Sequence, residues 1–149
     1  MASNKCIAAT GSLEAARDTI LLMRVLAHGV DLVEIQRIEA MHDEHGDRFL
    51  QRCFSEAERA YADSGRGRRA ERYAVRLACK EAVFKALGTG WSGGIRWLDI
   101  EVDREPTGRP RLALTGRCAE LAAELGIVHW HVSLSHTTSN ALASVVGCG

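Results

Sequence analysis

Apolar residues recur along most of the chain at spacings that name the element beneath them. Leu13, Ala16, Ile20 and Met23 fall at helical intervals, and Ser12 stands where an N-cap belongs. The spacing predicts a helix over residues 12–24, ahead of the main domain. Val25 to Val33 reads as a strand, with Val30 and Leu32 on one face and Asp31 on the other. Ile35, Ile38 and Met41 then return to helical spacing as far as Gly46, and Ser55-Glu-Ala-Glu58 matches a capping box opening a short helix that ends near Gly65. After Gly94 the period shortens. Residues 97–103 alternate, Glu105-Pro-Thr-Gly108 makes a turn, and Arg111 to Leu114 returns as a hairpin partner. An alanine-rich helix over residues 117–125 closes at Gly126, and two further strands, over residues 128–135 and 141–146, finish the chain. A strand, several helices, and two β-hairpins separated by one helix predict an α+β fold with a mainly antiparallel sheet.

One stretch breaks the usual separation of apolar and charged faces. A long helix predicted before Gly88 has an apolar side made of Tyr73, Leu77, Phe84 and Leu87. Lys80 falls in the middle of that stripe, with Arg76 and Glu81 at its edges. A charge on the buried side of a helix needs a partner, a ligand or a cleft. Gly88-Thr89-Gly90 follows, a turn able to present backbone N–H groups to an anion. Arg76, Lys80, Lys85 and this turn therefore read as phosphate ligands, or equally as a helix end with favourable cations and a glycine stop.

Asp31 and Glu81 are both carboxylates that local periodicity does not explain. Mg²⁺ is often held by one or two carboxylates together with substrate phosphates, and two acids from different elements fit that pattern. Ordinary ion pairs to Lys85 and a nearby arginine would also account for them. Ser133-Leu-Ser135-His136-Thr137 ends a strand with hydroxyls and an imidazole that suit a phosphate, or simply a polar turn. A serine-hydrolase reading lacks the GxSxG elbow, and a P-loop reading lacks GxxxxGK[ST]. His42 with His45, and His129 with His131, share faces but have no third metal ligand in view. Arg66, Arg68, Arg69 and Arg72 form a basic cluster, most often a solvated face and otherwise a place for an acidic partner or a phosphate.

Composition narrows the classes. The chain has 149 residues, 46% of them hydrophobic and 26% charged, which fits one soluble globular domain. With 19 basic and 19 acidic residues it lacks the cationic excess of a general nucleic-acid binder. Its five cysteines show no CxxC spacing, so neither a disulfide framework nor a zinc site is indicated, and a reducing compartment is the simpler setting. Ile20-Leu-Leu-Met23 is too short for a membrane span and follows charges unlike those of a signal peptide. These features predict a cytoplasmic protein with no membrane or nucleic-acid partner.

Three of these stretches, taken in order, resemble the small type of 4′-phosphopantetheinyl transferase, the holo-acyl-carrier-protein synthases. The family pattern GxDxxxxxR stands as Gly29-Val-Asp31-Leu-Val-Glu-Ile-Gln-Arg37, and RFAxKEAxxKALGTG as Arg76-Leu-Ala-Cys-Lys80-Glu81-Ala-Val-Phe-Lys85-Ala-Leu-Gly88-Thr89-Gly90. SxSHT stands as Ser133-Leu-Ser135-His136-Thr137. Leu77 departs from the family's phenylalanine, and the first 24 residues have no counterpart, so residues 1–24 are taken as an extension and 25–149 as the transferase domain.

The resemblance implies a reaction in which a serine of apo acyl carrier protein attacks the β-phosphate of coenzyme A, giving holo carrier and adenosine 3′,5′-bisphosphate. It assigns Mg²⁺ to Asp31 and Glu81, and names Glu81 as the candidate base. It sets Lys85 and Gly88-Thr89-Gly90 at the diphosphate, Arg76, His136 and the adjoining Thr137 near the nucleotide phosphates, and Arg37 toward the carrier. It also implies a homotrimer with sites between subunits, serving fatty-acid or polyketide synthesis. The competing expectation is a non-catalytic module that binds coenzyme A and transfers nothing; retention of both acids speaks against it.

Overall fold

The computed structural model describes residues 23–90 and 92–149. The helix expected over residues 12–24, and with it the extension, lies almost wholly outside the described residues. Strand β1 (Val25–Glu34) leads directly into helix α1 (Ile35–His45), followed by two short helices, α2 (Asp47–Cys53) and α3 (Glu56–Asp63). The long helix α4 (Arg69–Ala86) comes next. A single 3₁₀ turn (Trp97–Asp99), hairpin β2 (Ile100–Arg104) and β3 (Pro110–Leu114), helix α5 (Gly116–Glu124), and hairpin β4 (His129–His136) and β5 (Asn140–Cys148) complete the order. Among the described residues one antiparallel sheet runs β1-β5-β4 and a second pairs β2 with β3. The expected α+β architecture is observed.

The capping box read from sequence is present. The Glu58 backbone N–H donates to Ser55 Oγ at 3.2 Å and the Ser55 N–H donates to Glu58 Oε2 at 2.9 Å, opening α3. Expected strand at residues 97–99 is instead the 3₁₀ turn, because the Asp99 carboxylate accepts the Arg96 N–H at 3.0 Å and curls the chain before β2 begins.

Helix α4 packs across β1 and β5. Its contact stripe is Ala74, Ala78 and Ala82, all fully buried, and it faces Ala141 and Ala143 of β5, also fully buried. Small residues on both sides bring helix and sheet close. The approach is closest at Gly29, where a Cβ would stand 1.9 Å from the Ala82 carbonyl oxygen, so no residue with a side chain fits there without displacing α4. Around the other sides of α4, Phe54 meets Tyr73 at a ring-centroid distance of 4.8 Å and Phe84 meets Trp97 at 4.9 Å.

Strand β1 inverts the usual arrangement of a one-sided sheet. Its inward positions are Ala27, Gly29, Asp31 and Val33, whereas Val30 is 42% and Leu32 61% exposed on the outer face. The carboxylate of Asp31 is thus on the side covered by α4, and the branched aliphatic residues are on the open side.

Candidate functional site

The close contact at Gly29 determines where Asp31 sits. Two residues further along the same face, Asp31 lies beneath the last turns of α4, where Glu81 and Lys85 project one turn apart. Lys85 Nζ donates to Asp31 Oδ1 at 2.6 Å and to the Val30 carbonyl at 3.2 Å. The other carboxylate oxygen, Asp31 Oδ2, is buried and has no hydrogen-bond partner. Burial, then a hydrogen bond from the protonated Glu81 carboxyl to Asp31, and then the Asp31 charge push Glu81 up to about 7, while Arg37 and Lys85 pull the other way. Two carboxylates, one holding an unmatched buried oxygen, share a site whose nearby cations do not fully compensate them.

Such a pair suits a hard divalent cation. Oxygen donors and a small ligand count match Mg²⁺, which retains waters and completes its shell with substrate phosphates. No cluster of three or more His, Cys, Asp or Glu side chains suited to a metal occurs among the described residues. Asp31 and Glu81 would therefore hold an ion only together with ligand oxygens and water. His42 lies 3.7 Å from Asp47 and His45 lies 3.8 Å from Glu44, contacts that suit surface histidines.

Glu81 and Lys85 open into a cleft of about 1040 Å³ between α1, α2 and α4. Met41, Phe49, Leu77 and Phe84 give it an apolar floor; Arg37, Arg48 and Arg52 stand among its lining. Gly90 also lines this cleft. The expectation for Gly88-Thr89-Gly90 is corrected in part. The Gly88 N–H donates back to the Lys85 carbonyl at 3.1 Å and the Thr89 N–H to the Phe84 carbonyl at 3.3 Å, so both close the helix and neither faces an anion.

A second correction concerns Lys80. Its ammonium is wholly buried and donates to Glu58 Oε2 at 2.8 Å, the Trp97 carbonyl at 3.0 Å and the Ile100 carbonyl at 2.6 Å. All three N–H groups are engaged, and Glu58 Oε1 in turn accepts the Val102 N–H at 3.0 Å. Burial pulls Lys80 below its usual range, with Glu58 opposing. Lys80 ties α3 and α4 to β2 and reaches no ligand. The capping-box spacing made Glu58 visible as a cap; nothing in it signalled the second task of holding Lys80.

The other end of α4 borders a different cleft, of about 360 Å³, that shares no lining residue with the first. Arg76 and His136 both line it, together with Tyr61, Arg68, Arg72 and Arg104, apart from the cleft that Glu81 and Lys85 line. Arg76 is 4% exposed and its Nε has no hydrogen-bond partner, while Nη1 donates to the Arg72 carbonyl at 3.2 Å. Burial draws its guanidinium below the usual range. His136 Nδ1 lies 4.0 Å from Glu71 Oε2. Thr137 Oγ1 accepts the N–H groups of Ser139 at 3.3 Å and Asn140 at 3.1 Å, holding the β4–β5 turn. Tyr61 and Arg104 belong to no motif and were not singled out by the sequence reading, because only the fold brings them together.

Comparison with known proteins gives these clefts a context. The model of the 4′-phosphopantetheinyl transferase superfamily matches residues 27–146. A holo-[acyl-carrier-protein] synthase of Koribacter versatilis is 46% identical over 122 residues, covering 82% of this chain and 97% of its own. The crystal structure of Helicobacter pylori holo-[acyl-carrier-protein] synthase in complex with coenzyme A aligns with a TM-score of 0.71 and 30% identity, covering 80% of this chain and 98% of that one. A Bacillus anthracis holo-(acyl-carrier-protein) synthase in complex with CoA (3′,5′-ADP) aligns with a TM-score of 0.69 and 35% identity, covering 83% and 96% respectively.

Proposed function

The chain belongs to the 4′-phosphopantetheinyl transferase superfamily, and from that premise we propose that it is a holo-[acyl-carrier-protein] synthase. It moves 4′-phosphopantetheine from coenzyme A to a serine of an apo acyl carrier protein. The observation that carries this reading is the Asp31–Glu81–Lys85 cluster, in which a buried carboxylate oxygen is left unmatched beside a second acid and a cation.

In this reading Asp31 and Glu81 would hold Mg²⁺, and the ion when bound would neutralise phosphate charge and polarise the scissile linkage. Lys85, within reach of the same oxygens, orients the diphosphate and offsets the charge that gathers on the leaving side. Glu81, directly or through a water, takes the serine proton as the hydroxyl oxygen bonds to the β-phosphorus. The phosphoanhydride bond breaks and adenosine 3′,5′-bisphosphate departs. Arg76 and His136 bind the nucleotide phosphates, and Gly90 borders the diphosphate.

Arg37 is exposed on α1, where it lines the larger cleft with Arg48 and Arg52 and would face an acidic carrier. Two observations support a homotrimer with sites between copies: the clefts share no lining residue, and Val30, Leu32 and Leu142 leave aliphatic surface open on the sheet. Among the described residues no helix is long and apolar enough to cross a membrane. The four cysteines among the described residues are buried and free, which suits a reducing, cytoplasmic setting.

The test is incubation with coenzyme A, Mg²⁺ and apo carrier, followed by mass spectrometry of the carrier. A gain of one phosphopantetheine is expected. Binding of coenzyme A without mass gain on fatty-acid or polyketide carriers would favour the non-catalytic module instead.

A further inference from the structure

The smaller cleft holds an arrangement that folding alone does not account for. The guanidinium carbons of Arg72, Arg76 and Arg104 lie 4.3, 4.2 and 4.9 Å from the centroid of one ring, that of Tyr61. Energetically significant cation–π contacts occur roughly once per 70–80 residues, so three on a single ring is a marked concentration. The cations come from two elements, Arg72 and Arg76 from α4 and Arg104 from the end of β2, and Tyr61 from α3 is what they share. None of the three is in an ion pair with a carboxylate among the described residues. Of the acids lining the cleft, Asp103 pairs with Arg111 at 3.0 Å, and Glu71 Oε2 lies 4.0 Å from His136 with no hydrogen-bond partner of its own. Arg72 is pinned further, donating to the Tyr61 carbonyl at 2.6 Å and to Ser64 Oγ at 2.9 Å. Like charges gathered this closely repel one another, and an anion relieves the repulsion.

Coenzyme A carries two kinds of phosphate. Its diphosphate matches the carboxylate end of α4, where a metal is needed to bring anion to anion. Its 3′-phosphomonoester, a compact dianion, matches a pocket that is already cationic, and guanidinium groups grip such a group bidentately. We infer that Tyr61 is a positioning residue, whose ring gathers Arg72, Arg76 and Arg104 into one cationic group that reads the 3′-phosphate and so sets the preference for coenzyme A over 3′-dephospho-coenzyme A. This rests on the coenzyme A reading given above. The ring carries the effect, since all three contacts are to the ring and not to the phenol oxygen.

The experiment compares the two donors in the transfer assay and, separately, the binding of adenosine 3′,5′-bisphosphate and of 5′-AMP by calorimetry. Wild-type protein is expected to favour the 3′-phosphorylated ligand in both. Tyr61→Leu should raise KM for coenzyme A about tenfold with little change in kcat and leave KM for the dephospho donor unchanged, whereas Tyr61→Phe keeps the wild-type ratio. Arg104→Gln, at an exposed strand end, should narrow the ratio in the same direction and serves if Tyr61→Leu does not fold. Equal loss toward both donors in Tyr61→Leu, or failure of Tyr61→Phe to retain the ratio, would overturn the inference. So would a wild-type protein that treats both donors alike, an outcome that leaves the transferase reading intact; no transfer from either donor would count against that reading instead.

Discussion

Lys80 and Lys85 stand five residues apart on α4, and each meets a carboxylate from another element, at 2.8 Å and 2.6 Å. Their surroundings separate them. Lys80 and Glu58 have no exposed surface to speak of, and every N–H of the ammonium is engaged, so the pair is complete within the chain. The Lys85 side chain is 56% exposed, and its partner Asp31 retains a buried oxygen that no N–H reaches, beside a second carboxyl, Glu81. A buried charge that is fully matched is a fastening. A charge left partly unmatched at the edge of a cleft waits for something else to complete it.

The strongest way to break this comparison is to remove an acid from the incomplete cluster. Asp31→Ala or Glu81→Ala should lower transfer by roughly a thousandfold or more while the thermal unfolding midpoint stays near wild type; wild-type-like turnover would refute the assignment. Next in size is the complete pair. Lys80→Ala leaves Glu58 charged and buried, and should destabilise the protein by about 3–5 kcal/mol in urea titrations, with the activity of the folded fraction retained. Combining Lys80→Met with Glu58→Gln should recover much of that loss, since no buried charge remains. If Lys80→Ala instead unfolds like wild type but loses transfer, Lys80 belongs to the site after all.

The smallest effect sharpens the contrast, because it has the opposite sign. The folded-state value of Glu81, about 7, lies above its ordinary 4.5, so folding favours the protonated form. The stability this contributes is fully present below pH 4.5 and is lost as pH rises through 7. In chelator at pH 8, Glu81→Gln should therefore be more stable than wild type, by an amount of order 1 kcal/mol, and the advantage should vanish at pH 5. Denaturant midpoints at the two pH values test this; a Glu81→Gln protein less stable at pH 8 would show that the carboxylate is already well matched.

Much of this was legible in the chain, and for a physical reason. Periodicity reports which side of an element faces inward, so Glu81 and Asp31 stood out as acids where apolar residues belong. It does not report what waits on that side. Lys80 gave the same signal as Glu81, and only the fold shows that three acceptors meet it. The GTG turn and Thr137 are ambiguous for a related reason: glycines and hydroxyls that suit an anion suit a helix stop or a hairpin turn equally well, and here the Gly88 and Thr89 N–H groups close the helix while Thr137 Oγ1 holds the turn. The group of guanidiniums around Tyr61 was out of reach, because α3, α4 and β2 converge there only after folding. The inverted faces of β1 were also hidden, since Val30 and Leu32 are more apolar than the alanine, glycine and aspartate that are buried.

The contact at Gly29 sets a mechanical tolerance. With 1.9 Å between a notional Cβ and the Ala82 carbonyl, helix and strand are gauged against each other by the absence of one methyl group. Asp31 rides on one part and Glu81 on the other, so the gap between the two acids is machined at a point that touches no ligand. A substitution there would be recorded in an assay as damaged chemistry, although its cause would be a spacer of the wrong thickness.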